Sequence, residues 1–384
     1  MTRLVQKDGN NCITLKSHAF VFEILKTDGD AWFVGGCVRD SLIGKEGDDW
    51  DIATTHHPDA VMQMMKQHGI TVIPTGIDHG TVTAIIPPNK YEITTLRKDV
   101  STDGRRAVVK FSQDRMDDAA RRDFTINSMY MSQDGEIWDP FDGKSDLKAG
   151  IVRFIGDPRQ RIREDYLRIM RYFRFLAFYG KGEADEKTLD ICYSEKNGLS
   201  KISSERITHE LLRLLDAKNP MVSIEAMVPI LVDIVGENIN CNGLKKLLEI
   251  EAKYGQVTSI ARLFRLTNGG TKFPRLCLSK RQKNKLKILD SESMKMETWA
   301  LFAQHGEESA RDIMIMNEMY VDVELLQYQD FPLAGRDVMK MGVLPGPNVG
   351  ELLSSVREWW LSQKSCPSYD DCIEHAKLVI KNRG

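Results

Sequence analysis

Asp49-Trp50-Asp51 lies in a short run of strand formers, DWDIA. Residues i and i+2 of a strand point to one face roughly 7 Å apart, so the two carboxylates repel unless a cation neutralises them. Oxygen-only donors beside a phosphate substrate select a hard divalent ion, Mg²⁺ before others. Glu92, in the later run YEITTL, adds a third carboxylate to that face if its strand lies alongside. Ahead of the pair, Gly35-Gly36-Cys37-Val38-Arg39-Asp40 follows the apolar run AWFV and opens a helix. Backbone N–H groups at such a turn hold phosphate oxygens. A lone DxD equally fits a solvated acidic loop, and a glycine pair equally fits a plain strand-to-helix turn. Glycine turn, arginine and three strand carboxylates in combination point to metal-assisted chemistry on a phosphate. Neither GxGxxG nor GxxxxGK[ST] occurs, so neither a Rossmann site nor a P-loop is supported.

The elements that must position these groups change character along the chain. From Ala31 to about Met131, AWFV, DWDIA, TVTAII, YEITTL, AVVKF and SMYM read as strands. Pro87-Pro88-Asn89-Lys90 joins TVTAII to YEITTL as a hairpin, and Pro58 to His68 reads as a helix with Thr55 available as its cap. From about Arg159 the period becomes 3.6, predicting helices over Asp165–Tyr179, Ser204–Leu215, Pro220–Val235 and Leu244–Lys253. Between the two patterns, Asp139-Pro140-Phe141-Asp142-Gly143 to Gly156-Asp157-Pro158 is rich in turn formers and predicts a hinge. Gly335-Arg336-Asp337 and Leu344 to Gly350 predict a second rigid turn before the last helices. The fold class is α+β: a small head with a mixed sheet, then a long all-α remainder.

A chain of 384 residues exceeds one ordinary domain, and its 42% hydrophobic and 28% charged composition is that of a globular protein. With 53 basic against 55 acidic residues, net charge gives no attraction to a polyanion, so such a partner must meet a local basic patch. Seven scattered cysteines without a CxxC pair argue against a disulfide framework and a zinc site and fit the cytoplasm. No signal-peptide core is present in Met1–Lys16, and the strongest apolar run, Met227–Val235, is too short to span a bilayer. No membrane and no obligatory protein partner are expected.

GGCVRDSLIGKEGDDWD resembles the first motif of the class II nucleotidyltransferases, which comprise the bacterial-type CCA-adding enzymes (tRNA nucleotidyltransferases) and poly(A) polymerases. Arg121-Arg122-Asp123-Phe124-Thr125-Ile126-Asn127 resembles their second motif, and Asp139-Pro140 with Gly143 and Asp146-Leu147 resembles the hinge motif. Glu164-Asp165-Tyr166-Leu167-Arg168 is similar to the nucleotide-reading EDxxR motif, and Ile202-Ser203-Ser204-Glu205-Arg206-Ile207 to the helix start that follows it. Two departures, Ala119 where Leu is more typical and Ser128 where Ala is common, remove no charge. The resemblance implies a catalytic head over residues 1–150, a nucleotide-recognising neck over 151–218, a body over 219–300 and a tRNA-binding tail over 301–384, the helical part being elongated.

It further implies that Asp49 and Asp51 bind two Mg²⁺ ions, supported by Glu92. One ion lowers the pKa of the RNA 3′-hydroxyl and the other holds the triphosphate and the leaving pyrophosphate. Gly36 and Arg39 then contact the triphosphate, and Arg121, Arg122 and Asp123 recognise ribose and phosphate. Asp165 and Arg168, at i and i+3, are expected on one helix face, offering an acceptor and a fork of donors to a base edge. Cytosine and adenine carry an amine donor beside a bare ring nitrogen and match that pair. Uracil and guanine invert the pattern at about 1–3 kcal/mol per unpaired group. Arg171 and Arg174 continue the basic stripe.

The implied activity is untemplated addition of CCA to the 3′ end of tRNA from CTP and ATP. A poly(A) polymerase is disfavoured by the missing basic extension, and a C-adding relative by an intact Arg97–Phe111, which resembles the loop needed for the switch to A. An A-adding enzyme keeps that loop and stays open. A silent tRNA-binding protein is opposed by intact Asp49 and Asp51. Trp359-Trp360 reads as core or interface. From Thr271 to Leu289, Lys272, Arg275, Lys280, Arg281, Lys283, Lys285 and Lys287 stand without an acid. They suit RNA phosphates and an exposed helix face equally.

Overall fold

The computed structural model describes residues 11–45, 49–103, 106–290, 297–319, 330–363 and 365–383. The chain divides into two compact units, residues 1–210 with 222–227, and residues 211–221 with 228–384.

Among the described residues the first unit holds nine strands: β1 (Ala31–Val34), β2 (Asp49–Thr54), β3 (Thr71–Gly76), β4 (Thr81–Ile86), β5 (Asn89–Thr95), β6 (Arg97–Asp103), β7 (Arg106–Phe111), β8 (Tyr130–Met131) and β9 (Ile137–Trp138). Seven form one sheet in the order β3-β4-β5-β2-β1-β8-β9, and β6 and β7 pair as a separate ribbon. Within the sheet only β2 and β5 are parallel. The mixed head sheet and the predicted strands are therefore present. The hairpin forms across Pro87-Pro88, with Ile86 opposite Asn89. Residues 97–111 are a ribbon whose tip, 104–105, lies outside the described residues.

Helices α1 (Asn11–Leu25), α2 (Gly36–Leu42), α3 (Pro58–Gln67), α4 (Arg115–Ala120) and α5 (Gly143–Ala149) accompany these strands, followed by α6 (Pro158–Glu164), α7 (Leu167–Tyr179), α8 (Glu186–Glu195) and α9 (Ser204–Leu215). Sequence reading missed α1, whose buried side chains include Val21, Phe22, Ile24 and Leu25. His18 on α1 lies against Trp50 with ring centroids 4.0 Å apart and hydrogen-bonds Tyr91 Oη through Nδ1 at 2.9 Å. Trp50 is thereby fixed on the covered face of the sheet, and strand alternation turns its neighbours to the other face.

Four expectations need correction. Thr55 does not cap α3: His57 is the N-cap residue, Pro58 opens the helix, and the Thr55 hydroxyl accepts from the Asp30 N–H at 2.9 Å. The turn-rich segment contains α5, started by Asp139 accepting from the Gly143 and Lys144 N–H groups at 2.8 Å each. Helix α6 was not predicted as a separate element; Pro158 opens it and Asp157 caps it through the Gln160 N–H at 2.7 Å. Asp165 is not helical: with φ −152° and ψ 106° it forms the break between α6 and α7. Gly143 is required by close approach, because a Cβ there would stand 2.2 Å from the Thr125 carbonyl oxygen.

The remaining helices are α10 (Met221–Val235), α11 (Cys241–Tyr254), α12 (Ser259–Leu266), α13 (Lys280–Asp290), α14 (Thr298–His305), α15 (Glu307–Met316), α16 (Gly335–Lys340), α17 (Pro347–Leu361) and α18 (Tyr369–Arg383). No strand occurs after β9 among the described residues. Trp360 is fully buried with Val338, Leu352 and Ala376, and Trp359 stacks on His375 at 4.1 Å, as expected of core residues. Among the described residues no helix is long and apolar enough to cross a membrane.

Burial lowers the pKa of His18 from 6.5 to about 4. The folded state thus keeps His18 neutral where the unfolded chain protonates it, so stability is full above pH 6.5 and falls as pH drops toward 4. The loss is expected to reach about 3 kcal/mol at most. Urea unfolding of wild type and His18→Gln across that window should show a flatter pH dependence in the variant.

Candidate active site

The parallel pairing of β2 with β5 sets Asp51 directly opposite Glu92, and Asp49 opposite Lys90. Paired residues on adjacent strands share a face. The exposed Glu92 and half-buried Asp51 therefore stand on the side away from Trp50 and Tyr91. Thr83 is Glu92's partner on β4, and hydroxyl pairs Thr75–Thr83 (2.9 Å) and Thr81–Thr94 (3.0 Å) continue that face as polar surface. The side chain of Asp49 lies outside the described residues. Among the described residues no three His, Cys, Asp or Glu side chains gather as a metal group. The donor chemistry of Asp51 and Glu92, oxygen only, fits a hard divalent cation.

Gly35 carries the turn between β1 and α2 with φ +73°, a conformation L side chains rarely adopt. A Cβ on Gly35 would meet Arg122 Nη1 at 3.3 Å and Asp51 Oδ2 at 3.8 Å. Carboxylate and guanidinium therefore converge on the glycine turn. The Cys37 thiol points to the carbonyls of Val34 (3.3 Å) and Asp51 (3.6 Å). Burial, then the Asp51 charge, pushes its pKa up to about 11, so it stays protonated and is no nucleophile. Arg39 is buried. It donates to both oxygens of Asp40 (2.9 and 3.0 Å) and to Asn127, and lies over the Tyr179 ring at 4.2 Å.

The second motif is organised by a residue sequence reading passed over. Asp118, 1% exposed, accepts from Arg121 at 2.9 and 2.6 Å through Oδ1 and from Arg122 at 3.2 and 2.9 Å through Oδ2. The Tyr130 hydroxyl donates to the same Oδ2. Burial opposes ionisation of Asp118, but the Arg122 and Arg121 charges and the Tyr130 hydrogen bond override it and hold the carboxyl well below its usual range. Arg122 is thus gripped along one edge, while its Nη1 faces the glycine turn with only a 3.5 Å contact to the Asn127 carbonyl. The i, i+3 and i, i+4 spacing of Asp118 to the arginine pair was the available signal.

The EDxxR segment is locked to this motif. Asp123 is buried, accepts from the Phe124 N–H (2.9 Å) and Asn127 (3.0 Å), and pairs with Arg171 at 2.6 Å. Burial opposes its charge, and Arg171 first, then Asn127, still lowers its pKa. Arg168 donates to the Arg161 carbonyl (2.8 Å), to Glu164 (2.7 Å) and, at 3.3 Å, to the Arg121 carbonyl. Arg161 reaches the Arg121 and Arg122 carbonyls. Asp165 accepts from the Leu167 N–H at 3.1 Å at the start of α7 and receives Arg206 at 2.8 Å. Arg174 turns to the buried Glu210 at 2.6 Å. The Phe175 ring gathers Arg174 (4.5 Å), Arg39 (5.2 Å) and Arg171 (5.3 Å). Arg206 and Glu210 lie over thirty residues from their partners, so no local spacing signalled them.

The structure therefore brings Gly35, Gly36, Arg39, Asp51, Arg122 and Asn127 together at one turn, and links Arg121, Asp123, Arg168 and Arg171 behind it. Asp165 and Arg168 sit on either side of a helix start, each held by a different ion pair.

This assembly is a nucleotidyltransferase head by class: residues 31–153 match the Poly A polymerase head domain. CCA tRNA nucleotidyltransferase 1, mitochondrial, of Mus musculus is 34% identical over 382 residues, covering 92% of this chain and 87% of the relative. The CCA-adding enzyme of Levilactobacillus brevis is 34% identical over 359 residues, covering 85% and 88%. The crystal structure of Bacillus stearothermophilus CCA-adding enzyme in complex with CTP superposes with a TM-score of 0.67 at 25% identity, covering 96% of this chain and 99% of that one. The chain belongs to the family of CCA-adding enzymes, the CCA tRNA nucleotidyltransferases.

Asp118→Ala leaves two arginines without their buried counter-charge and should cost about 3–5 kcal/mol of unfolding free energy, measured by denaturant titration. Asp118→Asn keeps the shape and one acceptor. It should fold, yet raise KM for the nucleotide by about tenfold, the effect of some 1.4 kcal/mol, with KM for the RNA unchanged.

Proposed function

We propose that this protein adds C, C and A in turn to the 3′ end of tRNA, taking CTP and ATP and releasing pyrophosphate, with Mg²⁺ as its metal and the cytoplasm as its location. The registered pair Asp51–Glu92 beside Arg122 and the glycine turn carries this reading, and full-length relatives named for that activity support it. The cytoplasmic placement rests on the cysteine pattern. Residues 1–150 serve as head, 151–218 as neck, 219–300 as body and 301–384 as tail.

Asp49 and Asp51 hold the metal, supported by Glu92. When bound, the metal supplies charge neutralisation at the α-phosphate and a lower pKa for the attacking hydroxyl. The free edge of Arg122 faces the triphosphate, with Arg121, Gly36 and Arg39 around it. A planar fork suits phosphate better than an ammonium does. Asp165 and Arg168 present acceptor and donors to the base edge. Arg206 and Glu164 hold them in place, so little side-chain freedom is lost when a base arrives. Asp123, Arg171 and Arg174 complete the nucleotide pocket.

Purified protein incubated with tRNA lacking its last three, two or one nucleotides, Mg²⁺ and each NTP singly or together should give products ending in CCA and no others. Long A tails would make it a poly(A) polymerase, and A added only to tRNA ending in CC would make it an A-adding enzyme. Asp51→Ala should abolish extension and leave tRNA binding in a filter assay within about twofold, as expected when a lost contact contributes under roughly 0.4 kcal/mol to affinity.

A further inference from the structure

Charge is unevenly divided along the second unit. Residues 241–290 hold twelve Lys or Arg against three Asp or Glu, in a chain whose net charge is −2. Residues 301–384, where the tRNA-binding tail was expected, hold eight against thirteen. Not all twelve cations are available. Arg262 is buried against Glu251, and Lys285 is buried against Asp312 at 2.8 Å and Glu308 at 2.7 Å. Arg281 also pairs with Glu308 at 2.9 Å, and Arg265 donates to the Met316 carbonyl at 3.1 Å.

These ion pairs, with Leu286 and Leu289 in the core, fix which side of α13 faces water. Lys280, Lys283 and Lys287 are exposed at i, i+3 and i+7, one face of the helix. Lys272 precedes them, and Lys245, Lys246 and Lys253 are exposed on α11. Among the described residues none of these seven is in an ion pair. The two exposed acids of the region are Glu249 and Asp290.

We propose that the exposed face of α13, Lys280, Lys283 and Lys287 with Lys272 beside it, is a docking surface for the phosphate backbone of the tRNA substrate; this rests on the tRNA reading above. Successive lysines are about 4.5 and 6 Å apart along the helix axis, so the three charges are spread along one line and can each neutralise a phosphate. The surface suits RNA and not a bilayer. A membrane-lying helix needs an exposed apolar side, and the apolar side of α13 is packed into the core. The active-site arginines leave little surplus charge for this attraction, since Asp118 offsets one of the two charges of Arg121 and Arg122, and Asp123 and Glu210 pair with Arg171 and Arg174. Of the two readings the basic run allowed, RNA contact is favoured for four of its seven charges, while Lys285, Arg281 and Arg275 are engaged within the protein.

The test compares wild type with K280Q/K283Q/K287Q, the charge-keeping K280R/K283R/K287R, and K377Q/K381Q, which neutralises two exposed lysines of α18. Wild type must first extend tRNA; its failure to do so overturns the tRNA reading itself. Given that activity, the triple Gln variant should bind tRNA at least tenfold more weakly at moderate salt, and the slope of log affinity against log salt should fall by about one per lysine lost. CTP and ATP KM should stay unchanged, and the Arg variant should restore tRNA affinity. Unchanged tRNA affinity and salt slope in the Gln variant overturn the proposal, as does an equal loss in K377Q/K381Q. Loss confined to binding of phosphatidylserine vesicles assigns the face to a membrane and also overturns it.

Discussion

Charges taken out of water must be paired, and in the catalytic unit that requirement is met at Asp118. One carboxylate, nearly inaccessible to solvent, receives two guanidiniums and a phenol hydroxyl. Each arginine is gripped along one edge and presents what remains. That grip directs Arg122 toward the glycine turn and lets α6 and α7 close on the Arg121 and Arg122 carbonyls through Arg161 and Arg168. Asp123 repeats the device one step on, tying the motif to α7 through Arg171. Because each member satisfies its neighbour, removing one leaves the others buried and unpaired, so the network acts as a unit.

The second constraint is the parallel pairing of β2 and β5. Parallel neighbours need a crossover, here supplied by α3, β3 and β4. The resulting register sets Asp51 against Glu92. A one-residue slip would exchange the faces of the strand, burying the carboxylates and exposing Trp50 and Tyr91. The aromatic cluster of His18, Phe33, Trp50 and Tyr91 opposes such a slip, since its rings fit only on the covered side. Core packing on one face of the sheet thus fixes chemistry on the other.

On the proposed reading, specificity and affinity draw on different charges. Near the glycine turn the arginines are paired with acids and act through direction; on α13 Lys280, Lys283 and Lys287 are exposed and, among the described residues, outside any ion pair, which suits long-range, salt-sensitive attraction. A near-neutral chain can serve a polyanionic substrate because its charge is segregated.

Residue types and order were enough to read the α+β class, six of the nine described strands of the head and the helices α7, α9, α10 and α11, because periodicity and turn chemistry are local; β3, β6, β9 and most of the later helices were not read, and the residues at the glycine turn were assigned by the family resemblance. The spacing of Asp118 to Arg121 and Arg122 was equally local, although only the departure at Ala119 was read in that stretch. Helix α1 went unread because its apolar residues follow a polar opening, and Asp165 looked helical because helices flank it on both sides. What no local pattern contained was the partner of each charge. Arg206 meets Asp165 across 41 residues and Arg171 meets Asp123 across 48. Lys285 leaves the basic run to be buried with Asp312. The sequence by itself determined which chemical groups are present and the faces they occupy on each element. Tertiary structure alone decided which charges neutralise one another and which stay open to a ligand, since pairing depends on distances that only the folded chain sets.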